Sequence, residues 1–170
     1  MGRMRENKLR ALWLGVLLLM WMVLEPSLVQ ARIAFVFKVE DGGTIAITNW
    51  PNSAQADTRV RLYGVRTPLW KEPYGKEARE FLENYLPKGA KIEISSVTNS
   101  VEDGMEEVLL QVNGHSLNYA LVDEGLAWVD RRSCKSSYCR RWYLVEHNAV
   151  EARKGVWGLD LETPPWQWSN

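Results

Sequence analysis

Two cysteines, two histidines and three phenylalanines are all this 170-residue chain has of those types, and neither sign of charge is in excess, with 21 Lys and Arg against 21 Asp and Glu. A zinc module would need two more ligands beside the cysteines, and His115 and His147 show no finger-like spacing to them. No Cys-x-x-Cys redox motif exists either, because four residues separate Cys134 from Cys139. Basic excess is also missing. Beyond Ala31 the chain holds 17 basic and 19 acidic residues, a net charge of −2. That balance speaks against a coat-like nucleic-acid binder, which needs a dense basic surface. Finally, the longest apolar run, Ala11 to Leu24, has 14 residues. It falls short of the roughly 20 that a spanning helix needs.

What is there starts with an export pattern over 1–31. Arg3, Arg5, Lys8 and Arg10 precede the apolar run, Pro26 and Ser27 break it, and Val29-Gln30-Ala31 offers small residues for cleavage. The segment is expected to be a signal peptide; the alternative is an uncleaved anchor. Both place the rest of the chain outside the cytoplasm, periplasmic or secreted, with no stable membrane span once the signal is cleaved. In that oxidising setting Cys134 and Cys139 are expected to form a disulfide, contributing about 2 kcal/mol for so short a loop.

The following length suits one domain, 32–160, with a Pro- and Trp-rich tail at 161–170. Alternation and β-branched residues predict strands over Ile33–Lys38, Thr44–Thr48, Arg59–Val65, Lys91–Val97 and Glu107–Val112. Ala78, Phe81, Leu82 and Tyr85 predict a helix from Gly75 to Leu86. Ser116 is expected to N-cap a short helix running to Glu124. Tyr138, Trp142, Val145, Ala149 and Ala152 step as one helical face that Gly155 ends. Five strands with three helices make an α+β chain, and an OB-type five-stranded barrel is the natural candidate.

Chemistry is sought at Arg59 to Trp70, where Thr67-Pro68 ends a strand and Arg61, Arg66 and Thr67 are the polar groups. No carboxylate lies in this stretch. Arg59, Arg61, Arg66 and Lys71 interleave with Trp70 and Tyr74, a composition that suits nucleic-acid stacking and also protein interfaces. For a net acidic, exported domain, a protein or an anionic ligand is favoured over nucleic acid. Relocated metal binding by Glu40, Asp41, Glu102, Asp103, Glu106 or Glu107 is the less favoured alternative to ordinary solvated charge, and Asp41 also suits a turn before Gly42.

Several pieces together resemble the thermonuclease (staphylococcal nuclease-like, SNase-like) family. They are Val39-Glu40-Asp41-Gly42-Gly43-Thr44-Ile45, Val60 to Pro68, Pro73-Tyr74-Gly75-Lys76-Glu77-Ala78, Val112-Asn113-Gly114 with Leu117-Asn118, Leu121 to Trp128, and Glu146 with Ala149 leading to Gly155-Val156-Trp157. The Pro-Pro-Trp-Gln-Trp ending resembles that of exported bacterial members. The resemblance implies an OB-type barrel and, in active members, calcium-dependent hydrolysis of DNA and RNA. It also marks departures. Gly43 stands where the family has a metal-binding Asp, Arg66 where it has a second, and Leu69 where it has the general-base Glu. Met105 falls where a transition-state Arg is expected. Arg61 matches the phosphate-contacting arginine, and Thr67 matches a position that offers its carbonyl to the ion. The expectation is a degenerate site: no calcium cofactor, Arg61 and Arg66 available to an anion, and a domain that binds a protein or an anionic ligand. The alternative is a nuclease with residual or relocated catalytic residues.

Overall fold

The computed structural model of the chain describes residues 31–98 and 105–159. The export segment up to Gln30, residues 99–104 with Glu102, Asp103 and Gly104, and the end of the chain from Asp160 through the 161–170 tail lie outside the described residues. Five strands form the barrel: β1 (Ala31–Val39), β2 (Thr44–Thr48), β3 (Thr58–Leu62), β5 (Lys91–Thr98) and β6 (Glu106–Val112). Their order is β3-β2-β1-β5-β6, and a parallel pairing of β3 with β6 closes the sheet on itself. Closure removes the free edges that an open sheet would expose. Val36, Ile45, Ile47, Val60, Leu62, Ile92, Ile94, Val108 and Leu110 are all buried; Val112, which the alternation also directs inward, is half-buried at the strand end, and β2 is buried along its whole length.

The predicted third strand is two strands. β3 stops at Leu62, and β4 (Val65–Arg66) leaves the barrel to pair antiparallel with β8 (Trp128–Val129). Gly64 makes the break. Its φ is 68°, and a Cβ there would sit 2.7 Å from Cys134 Sγ. Only glycine accepts both that dihedral and that approach without strain. A short strand β7 (His115–Ser116) pairs with the end of β6 and was not apparent from the sequence pattern.

Three helices cover the barrel. In α1 (Gly75–Tyr85) Ala78 and Leu82 are buried. α2 (Leu117–Asp123) begins at Ser116, whose side chain accepts the Tyr119 N–H as the N-cap. α3 (Ser137–Glu151) buries Cys139, Trp142, Val145, Glu146 and Ala149, the face the sequence spacing marks. A 3₁₀ turn, Gly155–Leu159, follows. Cys134 and Cys139 are joined in a disulfide. The loop they close is tied to the barrel through Tyr63, whose hydroxyl donates to the Ser133 carbonyl at 2.7 Å. Among the described residues no helix is long and apolar enough to cross a membrane.

Two buried polar side chains join the layers. Asn118 on α2 accepts the Leu110 N–H at 2.9 Å and donates to the carbonyls of Tyr63 and Val108, each at 3.1 Å. It thereby holds the helix across the β3 end and β6. Glu146 on α3 accepts the Val129 N–H at 2.8 Å and pairs with Arg131 at 2.6 Å, fixing β8. Backbone groups buried here would otherwise lack partners, which costs more than most hydrogen bonds return.

Candidate functional site

The turn between β1 and β2 is shaped by Asp41, whose Oδ1 accepts the N–H groups of Gly43 and Thr44, both at 2.8 Å. This is the turn role the sequence suggests for it. The turn lies against β3, because Leu62 N–H donates to the Gly43 carbonyl at 2.9 Å. A Cβ on Gly43 would lie 3.2 Å from Thr67 Oγ1, so a side chain at that position would face the strand end beyond β4. Together the turn, β3, β4 and the following loop form a pocket of about 150 Å³ lined by Asp41, Gly43, Thr44, Arg61, Val65, Arg66, Thr67 and Leu69. The fold therefore brings Gly43, Arg61, Arg66, Thr67 and Leu69 together. Met105 is not in the lining; it is half-buried and directly precedes β6.

Arg66 is held from a distance in sequence. Its Nε donates to Asp130 Oδ2 at 3.0 Å, and the Asp130 side chain is only 2% exposed. Burial by itself would raise the Asp130 pKa. The Arg132 backbone N–H on Oδ1 and the adjacent Arg66 guanidinium outweigh it and hold the carboxyl below its ordinary value. Asp130 Oδ1 also has Arg132 Nε at 3.7 Å. Arg61 lies between two strands, opposite Thr44 on β2 and opposite the buried Glu107 on β6. Outside the pocket, Arg59 pairs with Glu40 at 3.0 Å, and the guanidinium of Arg79 lies 5.1 Å from the centre of the Trp70 ring. Glu106 pairs with Arg32 at 2.5 Å and also accepts from Ser96 Oγ.

Sequence reasoning missed Asp130, Arg132 and Arg79. Asp130 is 64 residues from Arg66, and the pairing of β4 with β8 is what brings them together. The one local signal was a carboxylate directly after the apolar piece Leu126 to Val129, where a charge needs a partner.

Calcium takes roughly six to eight oxygen ligands, several of them carboxylate. The pocket lining supplies one carboxylate, Asp41, with Oδ1 already accepting two backbone N–H groups, and it supplies two guanidiniums. Among the described residues no group of three or more His, Cys, Asp and Glu gathers around one point. The side chains present do not fit a calcium ion.

A family model described as staphylococcal nuclease homologue matches residues 59–158, more than half of the chain. "Staphylococcal-like nuclease CAN1" of Arabidopsis thaliana is 30% identical over 112 residues, 65% of this chain and 32% of that protein. An "Uncharacterized endonuclease" of Escherichia coli is 26% identical over 136 residues, 78% of this chain and 82% of the other. "Staphylococcal nuclease domain-containing protein 1" of Drosophila melanogaster is 34% identical over 95 residues, 55% of this chain and 10% of that protein. The chain spans about a third of the length of the plant relative it matches. The closed barrel, the three helices and the match across both β4 and α3 agree: the chain belongs to the staphylococcal nuclease homologue family.

Proposed function

We propose that this protein is an exported, non-catalytic member of its family, a binding module whose pocket takes an anionic group of a protein or small ligand. One observation carries the proposal. Where the resemblance calls for a metal-binding aspartate, Arg66 stands ion-paired with the buried Asp130. A cation fixed at that point opposes a divalent metal by Coulomb repulsion. The base position is Leu69, which is 61% exposed and has no proton to exchange. Losing both metal and base removes several kcal/mol of transition-state stabilisation each, roughly the difference between an enzyme and none.

A compact anionic group is favoured over a nucleic-acid strand. Arg59, Arg66 and Arg131 each have an acid of their own in Glu40, Asp130 and Glu146, so this side lacks the surplus charge a polyanion tracks. A periplasmic or secreted setting suits the Cys134–Cys139 pair.

The second reading, a nuclease with relocated carboxylates, is favoured by the endonuclease name of the E. coli relative, which matches most of both chains. Calcium titration by calorimetry, paired with cleavage assays on single- and double-stranded DNA and RNA, separates the two. The binding-module reading expects neither heat nor cleavage from the full chain. The variant Gly43→Asp/Arg66→Asp/Leu69→Glu is expected to acquire calcium affinity, because it adds three carboxylates to a pocket already lined by Asp41 and removes one of its two cations. Calcium-dependent cleavage that disappears in Arg61→Ala would establish the nuclease reading instead.

A further inference from the structure

A second cleft, of about 410 Å³, opens where the end of β6 and β7 face α2 and α3. It shares no lining residue with the Arg66 pocket. Its size falls within the range of small-ligand sites, which the family pocket at about 150 Å³ does not reach.

Local signals build its walls. Asn113 at φ 50° and Gly114 at φ 79° make the tight left-handed turn that folds β7 back on β6, with Gln111 opposite Ser116. Ser116 caps α2 through the Tyr119 N–H, which fixes Tyr119 at the cleft. On α3, Tyr138, Arg141 and Trp142 stand at helical spacing and share one face. The aromatic wall is held by the core. Trp142 is buried, and its ring centre lies 5.4 Å from that of Tyr138. Tyr138 also meets Tyr63 edge-on at 6.1 Å. These walls are formed before any ligand arrives, so little ordering is lost on binding. Burial raises the pKa of the Tyr138 hydroxyl, which keeps this wall uncharged.

The charge in the cleft is one-sided. Arg141 lines it together with Gln111 and His115, and the lining holds no Asp or Glu. The Arg141 guanidinium lies over the Tyr119 ring, 5.3 Å from its centre. Among the described residues no carboxylate comes within ion-pair distance of it, whereas Arg66 has Asp130. An arginine held over a ring keeps N–H groups for a carboxylate, which it takes through two parallel hydrogen bonds. Three aromatic side chains beside one unmatched cation call for a ligand with a ring and a single negative charge, since rings pack well on rings.

We propose that this cleft is a binding site for a small aromatic carboxylate, its ring packed against Tyr138 and Trp142 and its carboxylate held by Arg141. The site stands apart from the family pocket and does not rest on what that pocket binds.

The test titrates the isotope-labelled full chain with phenylpropionate and follows backbone amide shifts. Shifts at Gly114, Ser116, Tyr119 and Tyr138 are expected, with a dissociation constant of about 1 mM or tighter for a ligand of this size. Phenylpropionamide keeps the ring without the charge, and propionate keeps the charge without the ring. Each should bind about tenfold more weakly. Arg141 is exposed, so Arg141→Gln leaves the core intact. That variant should bind phenylpropionate about tenfold more weakly and lose the preference for the carboxylate over the amide, which a general loosening of the fold would not erase selectively. Equal binding of acid and amide by the unaltered chain overturns the proposal. So do undiminished binding by Arg141→Gln, shifts confined to Gly43, Thr67 and their neighbours, and no cleft shifts at about ten times the expected dissociation constant.

Discussion

The polar side chains that join this protein's layers and those that line its pocket have fared differently. Asn118 and Glu146 both belong to segments that resemble the family, and both have the hydrogen-bond partners their burial demands. Gly43, Arg66 and Leu69 stand in segments that resemble the family equally well, yet none is the carboxylate the resemblance calls for. The first set keeps the helices on the barrel; the second stands where the resemblance expects a metal and a base. Fold and chemistry make separate demands on a chain, and one can be met without the other. The pocket is nonetheless not a ruin. Arg66 has a built partner in Asp130, so the charge at that position has been accommodated in the structure, where a bare replacement would have left a partly buried cation without an acid.

The comparison breaks most readily at Asn118. Asn118→Ala leaves the Leu110 N–H and the Tyr63 carbonyl without their side-chain partner, each such buried group costing about 1–3 kcal/mol, while the Val108 carbonyl keeps the Tyr63 N–H. A loss of about 4 kcal/mol is expected in urea denaturation. A loss below about 1 kcal/mol would mean the joint is not what binds α2 to the barrel.

Arg66→Ala tests whether the pocket is a structural unit as well. Removing the cation strands a buried carboxylate and is expected to cost about 2 kcal/mol near neutral pH, discounted because Arg66 is partly exposed. The sign with pH follows from the lowered Asp130 pKa. Asp130 stabilises the fold fully above its unfolded value of about 3.9, and that contribution disappears as pH falls through the lower folded value. Without Arg66 the folded value rises. The deficit of the variant should therefore shrink as pH falls below about 3.9 and vanish once Asp130 is protonated in both proteins. A deficit that does not change with pH would show that Arg66 acts through packing of its stem.

The smallest effect is expected at Gly43. Gly43→Asp places its Cβ 3.2 Å from Thr67 Oγ1, a contact that a side-chain shift of a few tenths of an ångström relieves. Thermal unfolding should move by no more than about 1 kcal/mol of stability. A larger loss would show that the turn is closed to the carboxylate and that this position cannot return to a metal site by substitution alone.

Much of the architecture was legible because its signals are local. β2 alternates between Thr44 and Thr48, α3 repeats its apolar face every three or four residues, and Ser116 precedes a helix it can cap. The break inside Arg59–Val65 was not legible, since β-type residues run through it and only the approach of Cys134 and Trp142 to Gly64 demands the turn. In the site, the identities at 43, 61, 66, 67 and 69 could be read in advance, as could their place in two separate motifs. Asp130, Arg132 and Arg79 could not, because their relation to the site exists only after β8 pairs with β4 and α1 packs behind the loop.

By itself, then, the sequence determined the barrel class, the order of the five barrel strands and three helices, the cysteine pair and the residue types at 43, 66 and 69, all of which rest on residue type and near-neighbour spacing. Only the tertiary structure decided what Arg66 is. In sequence it is a cation among cations; in the fold it is one half of an ion pair whose other half is buried 64 residues away. Charge is a property of the residue, but the field it experiences and the partner that stabilises it are set by what the fold brings within a few ångströms.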